Sequence, residues 1–103
     1  MQTVHRKRIE IVVEATQRRR LTRLLDELGV TGYTILPVMG GRGDSGEWSR
    51  EGQVSAAGEK IMLVCITSAE RADAVTTAVH ELVAVATGVI SVADVQVVRG
   101  DKF

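Results

Sequence analysis

Twice along this chain the spacing of apolar residues switches from every second position to helical spacing and back, and that double switch limits the fold more than any other feature. In Lys7 to Glu14 (KRIEIVVE), Ile9, Ile11 and Val13 share one face while Arg8, Glu10, Val12 and Glu14 share the other, which predicts a strand. From Thr16 the period lengthens. Leu21, Leu24, Leu25 and Leu28 form a helical stripe, Arg18, Arg19, Arg20, Arg23 and Glu27 take the remaining surface, and Gly29 follows as the expected C-terminal cap. Gly32 to Val38 (GYTILPV) reads as a second strand, whose Pro37 lacks a ladder donor and so belongs at a sheet edge or strand end.

The second unit repeats the pattern. Lys60 to Thr67 (KIMLVCIT) is apolar on both faces, the mark of a fully buried strand. Thr67 with Glu70 three residues later predicts a capping box, which opens a helix with the buried stripe Ala72, Val75, Val79, Leu82, Val83 and Ala86 and a stop at Gly88. Ile90 to Arg99 alternates again as a fourth strand, leaving Gly100 to Phe103 as a tail. The order is βαββαβ in a chain of 103 residues, the length of a single domain spanning 1–103. Two strand-helix-strand units close most economically as an α+β, ferredoxin-like fold, with a four-stranded antiparallel sheet and both helices on one face. The opposite face then stays bare although it carries Met62, Val64 and Ile66. Each large apolar residue left in water forgoes roughly 1.5–3 kcal/mol of burial, which predicts a homo-oligomer packed sheet to sheet.

Composition narrows the function classes. Thirteen Lys and Arg balance thirteen Asp and Glu, so no global basic field exists to hold nucleic acid. The strands Lys7 to Glu14 and Lys60 to Thr67 contain no aromatic on which a base could stack, so Arg18, Arg19, Arg20 and Arg23 read as a solvated helix face. A single cysteine, Cys65, excludes a disulfide framework, and no Cys-x-x-Cys or His-x-His spacing offers a metal site; a reducing, cytoplasmic setting is expected. The uncharged, largely apolar stretch Leu82 to Ala93 falls short of the about 18 apolar residues of a membrane span. Glu10 and Glu14 interrupt the segment behind the cationic start, so neither a signal peptide nor membrane insertion is expected.

Between the second and third strands lies a long connection, Met39 to Glu59, without strand or helical period, and it holds six of the ten glycines: Gly40, Gly41, Gly43, Gly46, Gly52 and Gly58. Successive N–H groups in its first part, GGRGDSG, form either an anion-binding nest suited to phosphate or a solvated hairpin tip. Gly41, Gly43 and Gly46 match G-x-G-x-x-G, but no helix follows, and no Gly-Lys-Ser/Thr makes a Walker loop. Trp48 is expected to anchor the segment by local packing or against a neighbouring subunit. Cys65 reads as a buried structural thiol, and His5 and His80 stand where neither serves as a base. No carboxylate pair is forced together. The chain is not expected to be an enzyme or to need a metal.

At Gly29 to Ile35 (GVTGYTI) the sequence resembles the PII signal-transduction family, in which a Gly-x-Thr-Gly-x-Thr run leads into the second strand. The likeness continues through Val38 and Gly40 to Gly46, similar to the start of that family's T-loop, here about 39–59, then through Lys60 to Val64 and the closing Asp94, Val95, Arg99 and Gly100. The resemblance implies a homotrimer with inward-facing sheets and an adenine nucleotide, the effector ligand, in each cleft between subunits. Thr34 would bond the adenine beside Gly32 and Tyr33; Val12 and Val64 would line its pocket; Gly40, Gly41, Arg42 and Gly43 would reach the phosphates, joined by Arg99 as a phosphate-facing cation, and Gly88 would also belong to the nucleotide site. Four departures stand out. Thr87 to Ile90 offers no lysine where the family grips the outer phosphates, Met62 replaces an acid, the modifiable tyrosine of the loop is missing, and the first strand ends Val12-Val13-Glu14 instead of in lysine. The shortage of cations favours ADP or AMP over ATP. The GGRGDSGEW segment is also similar to the carboxysome-associated PII-like group, which implies bicarbonate held at Arg42, Gly43, Asp44, Ser45 and Gly46 and a T-loop read by a transporter or carbon-fixation protein. The alternatives are a CutA-like trimeric metal-tolerance protein, a sensor of another small metabolite on the same fold and, least favoured, a small acylphosphatase-like enzyme.

Overall fold

A computed structural model of the chain describes residues 1–43, 46–49, 58–84 and 88–99. The elements are β1 (Val4–Glu14), a short 3-10 turn (Ala15–Gln17), α1 (Arg18–Glu27), β2 (Thr34–Val38), β3 (Gly40–Gly43), β4 (Gly46–Ser49), β5 (Lys60–Thr67), α2 (Ala69–Ala84) and β6 (Gly88–Val97). The main sheet has the order β2-β5-β1-β6, and every pairing in it is antiparallel. Without the β3–β4 ribbon the order of elements is βαββαβ, the expected ferredoxin-like arrangement.

The pleat sorts the residues as their spacing predicts. Ile9, Ile11 and Val13 of β1 lie opposite Cys65, Leu63 and Ile61 of β5, and all six are buried. Leu21 and Leu25 of α1 and Ala72, Val75, Val79 and Leu82 of α2 complete this core. Gly29 takes φ +81°, the left-handed conformation that ends α1. Pro37 lies on β2, an edge strand, where a missing donor costs no central ladder bond.

Several boundaries differ from the sequence reading. β1 begins at Val4 rather than Lys7, because His5 and Arg6 pair with Gln96 and Val95 of β6 despite their polarity. The cap of α2 is Ser68: its Oγ accepts the Arg71 N–H at 3.2 Å, while Thr67 is the buried last residue of β5. Gly88 is not a helix stop; it opens β6 opposite Val13. There an added Cβ would lie 2.8 Å from the Val12 carbonyl oxygen, so close strand packing requires glycine. β6 ends at Val97, which leaves Arg99 just past the strand. β5 is not buried on both faces: Ile61, Leu63, Cys65 and Thr67 are buried, whereas Lys60, Met62, Val64 and Ile66 on the other face are half-buried. Ala86, Thr87 and the tail Gly100 to Phe103 lie outside the described residues.

Candidate functional site

The bare face of the sheet is built by the second set of alternating positions. Thr34, Leu36 and Val38 of β2 stand opposite Val64, Met62 and Lys60 of β5. Val12 of β1 stands between Met62 of β5 and Val89 of β6. Leu36 is 43% exposed and Val89 57%. Arg8 and Glu10 pair on the same face at 3.1 Å. Among the described residues no helix covers this surface.

At the β2 edge a hollow of about 200 Å³ is lined by Gly32, Tyr33, Thr34, Val64, Cys65 and Ile66. Four of the expected nucleotide residues therefore converge: Gly32, Tyr33, Thr34 and Val64. Tyr33 is 39% exposed, and the Thr34 side chain makes no hydrogen bond to a described residue. Cys65 contributes to the wall but is itself buried, and burial pushes its thiol pKa up to about 11, so it is a neutral, unreactive group at neutral pH. A larger groove of about 330 Å³, lined by Arg20, Arg23, Leu24, Glu27, Ala78, Glu81 and Leu82, lies between the two helices and contains none of the expected site residues.

The remaining candidates are dispersed within one protomer. Val12 lies two strands from β2, Gly88 opens the opposite edge strand, and Arg99 is exposed beyond the end of that strand. Gly40, Gly41, Arg42 and Gly43 form β3, paired with Ser49, Trp48, Glu47 and Gly46 of β4. This corrects the expected aperiodic loop: of the two expected forms, the described residues show the hairpin, and within GGRGDSG a positive φ is found at Gly46, at +105°. An added Cβ on Gly40 would stand 2.8 Å from the Trp48 carbonyl oxygen, and one on Gly41 would stand 3.1 Å from the indole ring. Trp48 is half-buried and carries the Lys60 ammonium 4.2 Å from its ring centroid, which ties the ribbon to the start of β5. Arg42 meets Glu47 across the ribbon at 3.4 Å. Asp44 and Ser45, expected at a bicarbonate site, lie outside the described residues.

The family model for nitrogen regulatory protein P-II matches residues 6–102. The chain belongs to the P-II family. Among solved structures, CPII, a nitrogen regulatory PII-like protein from Thiomonas intermedia K12 bound to ADP, AMP and bicarbonate, shares 28% identity at a TM-score of 0.87, over 95% of this chain and 92% of that one. CPII bound to ADP and bicarbonate alone gives 29% and 0.81 over 95% and 93% of the two chains. A PII-like signaling protein from Thermus thermophilus shares 32% identity at a TM-score of 0.85, over 100% of this chain and 99% of that one. No curated protein sequence matches the chain. This is thus a PII-like regulatory protein. Among the described residues no group of three or more His, Cys, Asp or Glu is placed to hold a metal ion, and no helix is long and apolar enough to cross a membrane.

Sequence reasoning missed the Lys60–Trp48 contact and the Arg42–Glu47 pair. Both depend on a cross-strand register that a glycine-rich segment does not reveal, although Trp48 standing alone among polar residues was a signal that something packs there.

Proposed function

We propose that this protein is a homotrimeric sensor that binds ADP or AMP in preference to ATP in the clefts between its subunits. The observation that carries the reading is the hollow at the β2 edge, where Gly32, Tyr33 and Val64 meet Thr34, whose hydroxyl bonds to no described residue. A flat apolar wall from Val64 and Ile66 suits a purine, and the Thr34 hydroxyl supplies the hydrogen bond that orients it. CPII, crystallised with ADP, AMP and bicarbonate, lends the ligand class.

The arrangement of the candidates supports a shared site. Thr34 lies on one edge strand and Arg99 follows the other; two strands separate them, and the β6 position in line with Thr34 is Ser91, eight residues before Arg99. Arg99 of one subunit would reach a neighbour's nucleotide more readily than its own. Oligomerisation would also cover Leu36, Met62, Val64, Ile66 and Val89, each worth about 1.5–3 kcal/mol when fully buried. Gly40, Gly41, Arg42 and Gly43 would approach the phosphates from the ribbon, with Val12 and Gly88 lining the cleft. The second effector in this reading is bicarbonate, held by Arg42 with Gly43, Asp44, Ser45 and Gly46, and the ordered T-loop is what a transporter or carbon-fixation protein would read. An anion at Arg42 would share the guanidinium with the Glu47 carboxylate, which meets it through one nitrogen at 3.4 Å and leaves its other donors available.

Thermal denaturation with AMP, ADP and ATP, each with and without bicarbonate, tests the reading, because a ligand of the folded state alone raises the midpoint. ADP and AMP are expected to raise it more than ATP, and bicarbonate to add to the ADP effect. A larger shift with ATP would reject the preference, and no shift with any adenine nucleotide would reject the sensor itself.

A further inference from the structure

The charges of α1 run opposite to its helix dipole. Its first turn carries Arg18, Arg19 and Arg20 and no acid, its last turn carries Asp26 and Glu27 and no base, and Gln17 at the N-cap makes no side-chain bond. A helix favours acids at its N-terminus and bases at its C-terminus, so this pattern works against the helix, which is held instead by Leu21 and Leu25 in the core. Arg18, Arg19, Arg20 and Arg23 are all exposed, and none of their guanidinium groups pairs with a described residue. These four cations, three of them in the first turn where they cost stability, form a local field on α1 in a chain whose net charge is zero, with Arg20 and Arg23 also lining the groove that holds Glu27 and Glu81.

These cations stand at the end of the sheet that bears the ribbon. Glu14 closes β1 opposite Lys60, the Ala15 N–H donates to the Glu59 carbonyl at 2.8 Å, and α1 begins three residues later. Met39, 70% exposed, joins β2 to β3 at the same end. Consecutive helical positions are about 100° apart, so Arg18, Arg19 and Arg20 fan outward and do not converge on one small anion. A fan of guanidinium groups at the end of the sheet that also carries an exposed methionine suits an extended plane of phosphates.

We propose that the α1 end of the molecule docks on a membrane surface of anionic phospholipid headgroups through Arg18, Arg19, Arg20 and Arg23, with no segment inserted. The patch belongs to the protomer and does not depend on the nucleotide reading; a trimer would present it three times and gain by avidity.

Co-sedimentation of the full chain with vesicles tests the proposal, using phosphatidylcholine alone against phosphatidylcholine with about one third phosphatidylglycerol. At about 0.05 M salt the bound fraction should be concentrated on the anionic vesicles, and it should disappear by about 0.5 M. The double variant Arg19→Glu, Arg23→Glu should lose about tenfold or more in partitioning, while its thermal midpoint does not fall, because Arg19→Glu places an acid in the first turn. ADP binding by the same variant should be unchanged, since neither position is in the nucleotide set; the two readings therefore fail separately. Equal partitioning to both vesicle types, or full binding by the double variant, would overturn the proposal. So would retention of an RNA oligonucleotide or an acidic protein without any binding to anionic vesicles.

Discussion

Cys65 faces Ile9 in the core, 2% exposed, and burial keeps its thiol protonated up to about pH 11, whereas the unfolded thiol ionises near 9.0. The folded state therefore holds a proton that the unfolded state has released between those values. The contribution is complete below about pH 9 and is lost as pH rises toward about 11, at up to about 1.4 kcal/mol per pH unit. Urea midpoints at about pH 8 and about pH 10.5 should show a larger fall for the native chain than for Cys65→Ala; an equal fall would mean that the thiol is not shielded. Gly88 makes a second residue-scale case. Its added methyl would meet the Val12 oxygen at 2.8 Å and Val83 and Val13 methyls at 3.1 and 3.2 Å. Gly88→Ala is expected to cost about 1–3 kcal/mol by overpacking, read from urea denaturation, and a neutral result would show that the strand can move aside. In the sequence, a glycine after an apolar helix looks the same whether it stops the helix or permits close packing. Cys65 was easier to read, because a thiol amid Val64 and Ile66 in a strand has one environment available to it.

At the scale of elements, legibility followed the contrast between apolar and polar positions. β1 and the α2 stripe stood out because Ile9, Ile11 and Val13, and then Ala72, Val75, Val79 and Leu82, recur at the spacings that put them in one core, whereas β5 is an apolar run that hides which face is buried. The ribbon did not stand out, since Gly40 to Gly43 has no side-chain alternation to read and its pairing rests on backbone bonds and on Trp48. The start of α2 shows how near the limit such reading runs. Thr67, Ser68 and Glu70 contain a valid capping-box spacing, yet the pleat of β5 buries Thr67 and leaves Ser68 to cap. Ser68→Ala is therefore expected to destabilise the protein by about 1 kcal/mol, as measured by denaturant unfolding. No loss in that variant would return the cap to Thr67.

For the whole molecule, the decisive feature is a sheet with a helix-covered face and an uncovered apolar one. The topology was legible because two strand-helix-strand units have few ways to close, and the P-II match over residues 6–102 agrees with it. How the candidate site is assembled was not legible from spacing alone: sheet order β2-β5-β1-β6 separates Thr34 from Arg99, which are joined only if edges of different subunits meet. Sedimentation equilibrium should accordingly give about three times the 11.1 kDa chain mass. Met62→Glu, which sets a charge in the centre of the bare face, should shift the population toward protomers; a native chain that sediments as a protomer would refute the shared cleft. The sensor reading itself is tested most directly by calorimetric titration of ADP into the native protein and into Thr34→Ala. Saturable binding of ADP, tighter than ATP and weakened about tenfold by loss of the Thr34 hydroxyl, is the predicted result. Tighter binding of ATP, or no saturable binding of any adenine nucleotide, would contradict it.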